Sequence, residues 1–293
     1  MQTGAGEADM VSAARGKFIR LAAGLRCAAV LAPLAGLASE GPRLQTAPIN
    51  SHDLASLQNG AKVFVNYCLN CHSAGYMRYN RLQDLGLSEL QIRDNLIFTG
   101  VKVGELMQVA MDKKDAKEWF GTAPPDLTVT ARSRSSGAGA GADWIYTYLR
   151  SFYRDPSRPT GWNNLVFANV GMPHALWQLN GQQQLVENEF ESQHAANAAL
   201  IAAKSVAQME KVTTHTDGKA VTRFVVKTLR PGSGMLSPLE YDKTVVDLVN
   251  YMNYMAEPAR LERRQIGFYA LLLLGLLFIP VFALKKSYWK DVH

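Results

Sequence analysis

The sequence predicts a mainly α fold: a helical body with inserted loops, followed by a single C-terminal transmembrane helix. Three observations predict it. Leu54, Leu57, Ala61, Phe64 and Val65 recur at offsets of three and four, the spacing that lines up one buried helix face. A second such face, Val245, Leu248, Val249, Met252 and Met255, lies late in the chain. Beyond it, Ile266 to Leu284 runs without a single charge. At about 1.5 Å per residue this stretch makes roughly 28 Å of helix, close to the thickness of a bilayer's hydrocarbon core.

In chain order, Arg15, Lys17, Arg20 and Arg26 precede an apolar run from Ala28 to Ala38 that ends small-x-small. Residues 1–38 therefore read as a secretory signal peptide cleaved after Ala38, with Met10 as an alternative start. Cys27 falls within this segment, which leaves Cys68 and Cys71 as the thiols of the body. Residues 39–259 form that body and 260–293 the anchor with a short tail. Arg260, Arg263 and Arg264 stand before the apolar run, with Lys285, Lys286 and Lys290 after it. Tyr269, Tyr288 and Trp289 suit the lipid–water interfaces. The net charge of +6 resides in these two end segments, so the body is neutral and the basic pI gives no argument for nucleic-acid binding.

Within the body, Ser51 or Asp53 caps the first helix, which delivers Cys68 to a tight turn. Leu87–Phe98 follows as a helix capped by Ser88, with Leu90 and Ile97 inward. Asp112–Glu118 reads as a solvated charged face. Asp143 caps a helix over Trp144–Phe152, its aromatic and Leu positions inward, and residues 153–174, rich in Pro, Gly and Asn, form an ordered loop. Gln182–Glu210 is helix-prone in its Ala-rich half. Val221–Leu229 is a strand or hairpin arm ended by Pro231-Gly232, and the last soluble helix spans Tyr241–Glu257.

The chemistry concentrates in Cys68-Leu69-Asn70-Cys71-His72. Two thiols three residues apart serve half a zinc site, a redox dithiol or, with His next, covalent haem attachment. Zinc needs four ligands, and no other histidines stand at finger-like spacing. A redox dithiol needs a strand leading into a helix, whereas a helix precedes Cys68. One haem c per chain, bonded through Cys68 and Cys71 with His72 under the iron, is the reading that remains. The sixth position decides the chemistry: a thioether gives an electron carrier, and an open site gives a haem enzyme such as a peroxidase. Met172 and Met235 compete for it, and spacing leaves both open. His174, beside Met172, reads as a structural histidine. Glu187, Glu189 and Glu191 form the densest acidic cluster, a solvated loop or a docking surface for a basic partner.

Taken in order, several of these residues resemble the cytochrome c1 family, the haem c subunits of ubiquinol:cytochrome c reductase (the cytochrome bc1 complex). They are Cys68-x-x-Cys71-His72 with Tyr79 and Arg81; Ala123-Pro124-Pro125-Asp126-Leu127 with Arg132 and Arg134; Gly171-Met172-Pro173; and Ala256-Glu257-Pro258 before the anchor. The resemblance covers most of residues 39–293 and implies a class I cytochrome c-like haem domain. It makes Met172 the distal ligand and Met235 a loop residue. It also sets Pro125 and its neighbours against the haem edge, and pairs Arg134, or failing it Arg132, with a haem propionate. The implied partners are a cytochrome b subunit, the Rieske iron–sulfur protein, soluble cytochrome c and membrane lipid, with no catalytic site on this subunit alone. The implied location is the bacterial cytoplasmic membrane, single-pass, with the haem domain periplasmic and the C-terminus cytoplasmic. A haem c subunit of a terminal oxidase is the alternative. Gln182–Arg230 matches the family poorly.

Overall fold

The computed structural model describes residues 42–203, 205–216 and 219–291. The expected signal peptide, residues 1–38, lies outside them. Helix α1, Leu54–Val63, starts at Asp53, whose carboxylate accepts the Ser56 N–H at 3.0 Å. Leu57, Ala61, Phe64 and Val65 are buried, while Leu54 is exposed at the helix start. The last turn widens into a π-turn, Phe64–Cys68, closed by Leu69 N–H to Phe64 C=O. Such a turn inserts one extra residue and often marks a functional position. Strand β1, Ala74–Arg78, a 3-10 turn, Tyr79–Leu85, and helix α2, Glu89–Leu96, come next. A Ser88–Gln91 capping box starts α2. Its buried positions are Ile92 and Leu96, and the expected inward Leu90 is exposed. The capped start fixes the phase of so short a helix, and it turns Leu90 outward.

Strand β2, Leu106–Met107, pairs with β1, and helix α3, Lys113–Phe120, buries only Ala116. Helices α4, Thr130–Ser133, and α5, Gly141–Arg150, lead to a hairpin of β3, Phe152–Arg154, with β4, Trp162–Asn164. Helix α5 begins three residues earlier than expected, so Asp143 is not its cap. It sits one turn in, where its carboxylate accepts the Ala140 and Ala47 N–H groups. Helix α6, Trp177–Asn180, then precedes β5, Gln184–Phe190, helix α7, Gln193–Ala202, β6, Ala207–Thr216, and β7, Lys219–Arg230. These strands form one antiparallel sheet ordered β5-β7-β6.

The body is thus helical with three small sheets rather than mainly α. The missed strand β5 carries Glu187 and Glu189 on an exposed sheet face. There they pair across the strands with Lys227 and Arg223, at 3.6 and 2.7 Å. Cross-strand ion pairs stabilise such a face modestly. They also replace the expected solvated loop, although Lys227 is shared with Glu210, which it bonds at 2.7 Å.

The core forms where α1 crosses helix α8, Pro238–Ala256. Gly60 is the crossing point: a methyl there would lie on the carbonyl oxygen of Asp247 and 2.6 Å from Tyr251 Cβ. Ser56 donates to Asp247 at 2.6 Å, and Asn250 donates to Ser56 and to the Asn50 carbonyl, so the buried polar groups at the crossing are linked to one another. All five predicted inward residues of α8 are buried. After Glu257, Pro258 and Ala259, helix α9 runs from Arg260 to Tyr288. Within it, Glu262–Tyr288 is long and apolar enough to cross a membrane, with a mean hydropathy of 2.5 and apolar side chains that are exposed.

Candidate functional site

Helix α1 and its π-turn carry Cys68 to one end of the core. Cys71 N–H and His72 N–H both bond the Cys68 carbonyl, at 3.1 and 2.9 Å, folding the motif into a single turn. Both thiols and the His72 ring line one cavity of about 400 Å³, within the size range of cofactor sites. Burial, and next the neighbouring Cys71, push the Cys68 thiol up to about 12; burial also raises Cys71. A redox dithiol needs a lowered thiol pKa, so this environment disfavours that chemistry.

His72 is buried, and its Nδ1 lies 2.7 Å from the Pro125 carbonyl oxygen. A carbonyl can only accept, so Nδ1 carries the proton and Nε2 keeps a free lone pair for a metal. Burial pulls the imidazole below its ordinary value, against the Pro125 bond and the Asp126 charge. Pro125 is itself held in place. Asp126 accepts the Gly75 N–H at 2.6 Å and the Thr128 N–H and hydroxyl at 2.8 and 2.6 Å, and Leu127 N–H bonds the Ser73 carbonyl. The Pro-Pro-Asp-Leu segment is therefore laced to the residues that follow the Cys-x-x-Cys-His turn. Its part in orienting His72 went unforeseen because the two segments lie 53 residues apart.

Met172 and Arg134 line the same cavity. The Met172 sulfur accepts from the Tyr148 hydroxyl at 3.4 Å. Met235 lies elsewhere, 78% exposed on the far side of α6, where its N–H bonds the Gln178 carbonyl. The Arg134 guanidinium stacks on the Trp144 ring, 4.5 Å from its centroid, with Phe167 at 5.8 Å; Arg132 is exposed and does not line the cavity. His174 is fully buried, stacked on Phe152 at 4.8 Å, and burial lowers its pKa to about 3. Sequence reading placed the aromatic face of α5 inward without giving it a role. Trp144 and Tyr148 in fact form a cavity wall, and their spacing of four was the available signal.

These residues fit a haem c. Both cysteines of the motif, a tautomer-fixed His, a thioether and a cation share one largely apolar cavity. Among the described residues, no group of three or more His, Cys, Asp or Glu side chains could hold a metal ion without such a cofactor. Together they define the class of haem c electron-transfer subunits with a C-terminal apolar helix.

Comparison with known proteins narrows the class. A Cytochrome C1 family model matches residues 44–120. Cytochrome c1 of Allochromatium vinosum is 48% identical over 90% of this chain and 96% of its own length. A Nitrosomonas europaea protein named ammonia monooxygenase gamma subunit is 43% identical over 92% of this chain and 97% of its own. Cytochrome c1 of Rhodospirillum rubrum is 27% identical over 82% of this chain and 83% of its own. The chain belongs to the cytochrome c1 family.

Proposed function

We propose that this chain is the membrane-anchored, mono-haem subunit of a respiratory ubiquinol:cytochrome c reductase. It takes electrons from the Rieske iron–sulfur protein and passes them to soluble cytochrome c. The observation that carries the reading is the convergence of Cys68, Cys71, His72 and Met172 on one cavity. Bound haem c supplies a one-electron ferrous–ferric couple. Cys68 and Cys71 would attach it, and His72 would present Nε2 while Pro125 fixes the opposite nitrogen. Met172 would offer the iron a soft thioether. Arg134, held by Trp144, supplies a fixed cation for a propionate.

The assignment places residues 39–259 as the haem domain on the periplasmic side, after removal of residues 1–38. Residues 260–293 cross the bacterial cytoplasmic membrane beside a cytochrome b subunit and end in a cytoplasmic tail. The monooxygenase name of the Nitrosomonas europaea relative finds no separate metal-ligand cluster among the described residues to support it.

The test is to purify the tagged chain in mild detergent from its native membrane and add a ubiquinol analogue. Co-purified haem b and iron–sulfur protein, with reduction of haem c by quinol, support the proposal. Arrival with oxidase subunits, or a haem c that quinol cannot reduce, overturns it.

A further inference from the structure

We infer that Tyr148 is a positioning residue for Met172: its hydroxyl occupies one lone pair of the sulfur and leaves the other for iron. The inference rests on the reading of Met172 as an axial ligand, and goes beyond it by naming a second residue that sets the strength of that bond.

The hydroxyl lies 3.4 Å from Met172 Sδ, within reach of a hydrogen bond to sulfur. A thioether has two lone pairs and is a weak acceptor, so a phenol that spends its proton on one is held there by its surroundings. Those surroundings are unusually constrained. The Tyr148 ring stacks on Trp144 at 4.7 Å and 14° and meets Phe152 edge-on at 5.0 Å, which fixes it on both sides. The Tyr148 backbone carbonyl accepts from the Asn164 side chain at 2.8 Å and the Ser151 hydroxyl at 3.1 Å.

Asn164 is buried, and its amide oxygen in turn accepts the Val166 and Phe167 N–H groups. Asn163 then accepts the Asn169 N–H at 2.8 Å, and Arg158 bonds the Asn169 carbonyl at 3.0 Å. Asn169 has φ of 60°, a left-handed conformation that Asn tolerates better than most residues. Three residues further on is Met172. One residue of α5 thus holds the distal segment twice, through its carbonyl at the start of the loop and through its hydroxyl at the sulfur.

An O–H on the sulfur draws electron density from it. With haem bound, the Met172 sulfur would then donate less to ferric iron, which depends more on that density than ferrous iron does, and the Tyr148 hydrogen bond would raise the reduction potential. Hydrogen bonding around the first ligands is one of the protein's means of tuning a metal site.

The test uses purified full-length holoprotein carrying Tyr148→Phe, which keeps the ring and deletes the hydroxyl. Tyr146→Phe is the control on the same helix, since Tyr146 donates to Asp242 and does not line the cavity. The readouts are the haem reduction potential and the far-red thioether-to-iron charge-transfer band of the ferric protein. The expected result is a lowered potential and a displaced band in Tyr148→Phe, with neither change in Tyr146→Phe. An undisplaced band in Tyr148→Phe overturns the inference, even if the potential moves, because the hydroxyl would then act elsewhere on the haem. Equal changes in both variants also overturn it, since helix loosening would explain them. Persistence of the band in Met172→Leu is a different failure, that of the axial-ligand reading itself.

Discussion

At position 72 the two ring nitrogens are held to different tasks. The Pro125 carbonyl accepts a hydrogen bond from the protonated Nδ1, so Nε2 is the nitrogen with a free lone pair. The proposed opposite ligand is Met172 rather than Met235, and the two make different demands on mutation. Met172→Leu removes the thioether and is expected to abolish the far-red band and lower the haem potential. Met235→Leu, at an exposed position, is expected to leave both unchanged. Potentiometric titration of the two variants checks this, and the reverse pattern would reassign the ligand. That Cys68, Cys71 and His72 share one turn and one cavity was legible in the sequence because they stand within a single stretch of five residues. Pro125 and Tyr148 were not legible in their roles, because a hydrogen bond between distant segments leaves no spacing to read.

Among the elements, the crossing of α1 with α8 governs the body, and Gly60 is where the two backbones approach. Gly60→Ala forces a methyl against the Asp247 carbonyl, a contact with backbone that no rotamer change relieves. Overpacking of this kind costs about 3 kcal/mol, so the unfolding midpoint should fall by several degrees. Gly104→Ala, where the added methyl meets nothing, should fall within ~0.5 kcal/mol of wild type by the same denaturation assay.

The start of α8 carries a pH signature. The Ser237 side chain and N–H hold the Glu240 carboxyl below its ordinary value of 4.5. The folded state therefore favours the carboxylate. Its contribution to stability is present above pH 4.5 and is lost as pH falls through the lower folded value. Wild type should thus exceed Glu240→Gln in melting temperature near neutral pH, and the gap should close in acid. A gap that acid leaves unchanged would contradict the assignment.

Helices with strong caps and apolar periodicity were legible at this scale, α8 most fully. The sheet of β5, β6 and β7 was read only as one arm. In β5 the outward glutamates obey strand alternation, but they resemble a solvated loop until their cross-strand partners are known.

The whole molecule divides by solvent. The core of the body closes around α1, α5 and α8, while α9 exposes its apolar surface along its length. Cleavage of the chain after Ala259 is therefore expected to move the protein from the detergent phase to the aqueous phase with its haem spectrum unchanged. Phase partitioning and an absorption spectrum check this together. A spectrum lost on truncation would mean that the anchor also supports the haem pocket. The long apolar helix α9 was legible in the sequence because hydropathy is read residue by residue, without knowledge of any contact.

Between α8 and α9 stand only Glu257, Pro258 and Ala259, and Glu257 is paired back to Arg263 at 2.7 Å. Fully stretched, three residues reach roughly 10 Å. On so short a leash, a bilayer holding α9 in the proposed way would keep the body as a fixed post at its surface, unable to travel between partners. Under the proposed function its donor and acceptor would have to come to it, so traffic through this post would be set by their arrivals and departures.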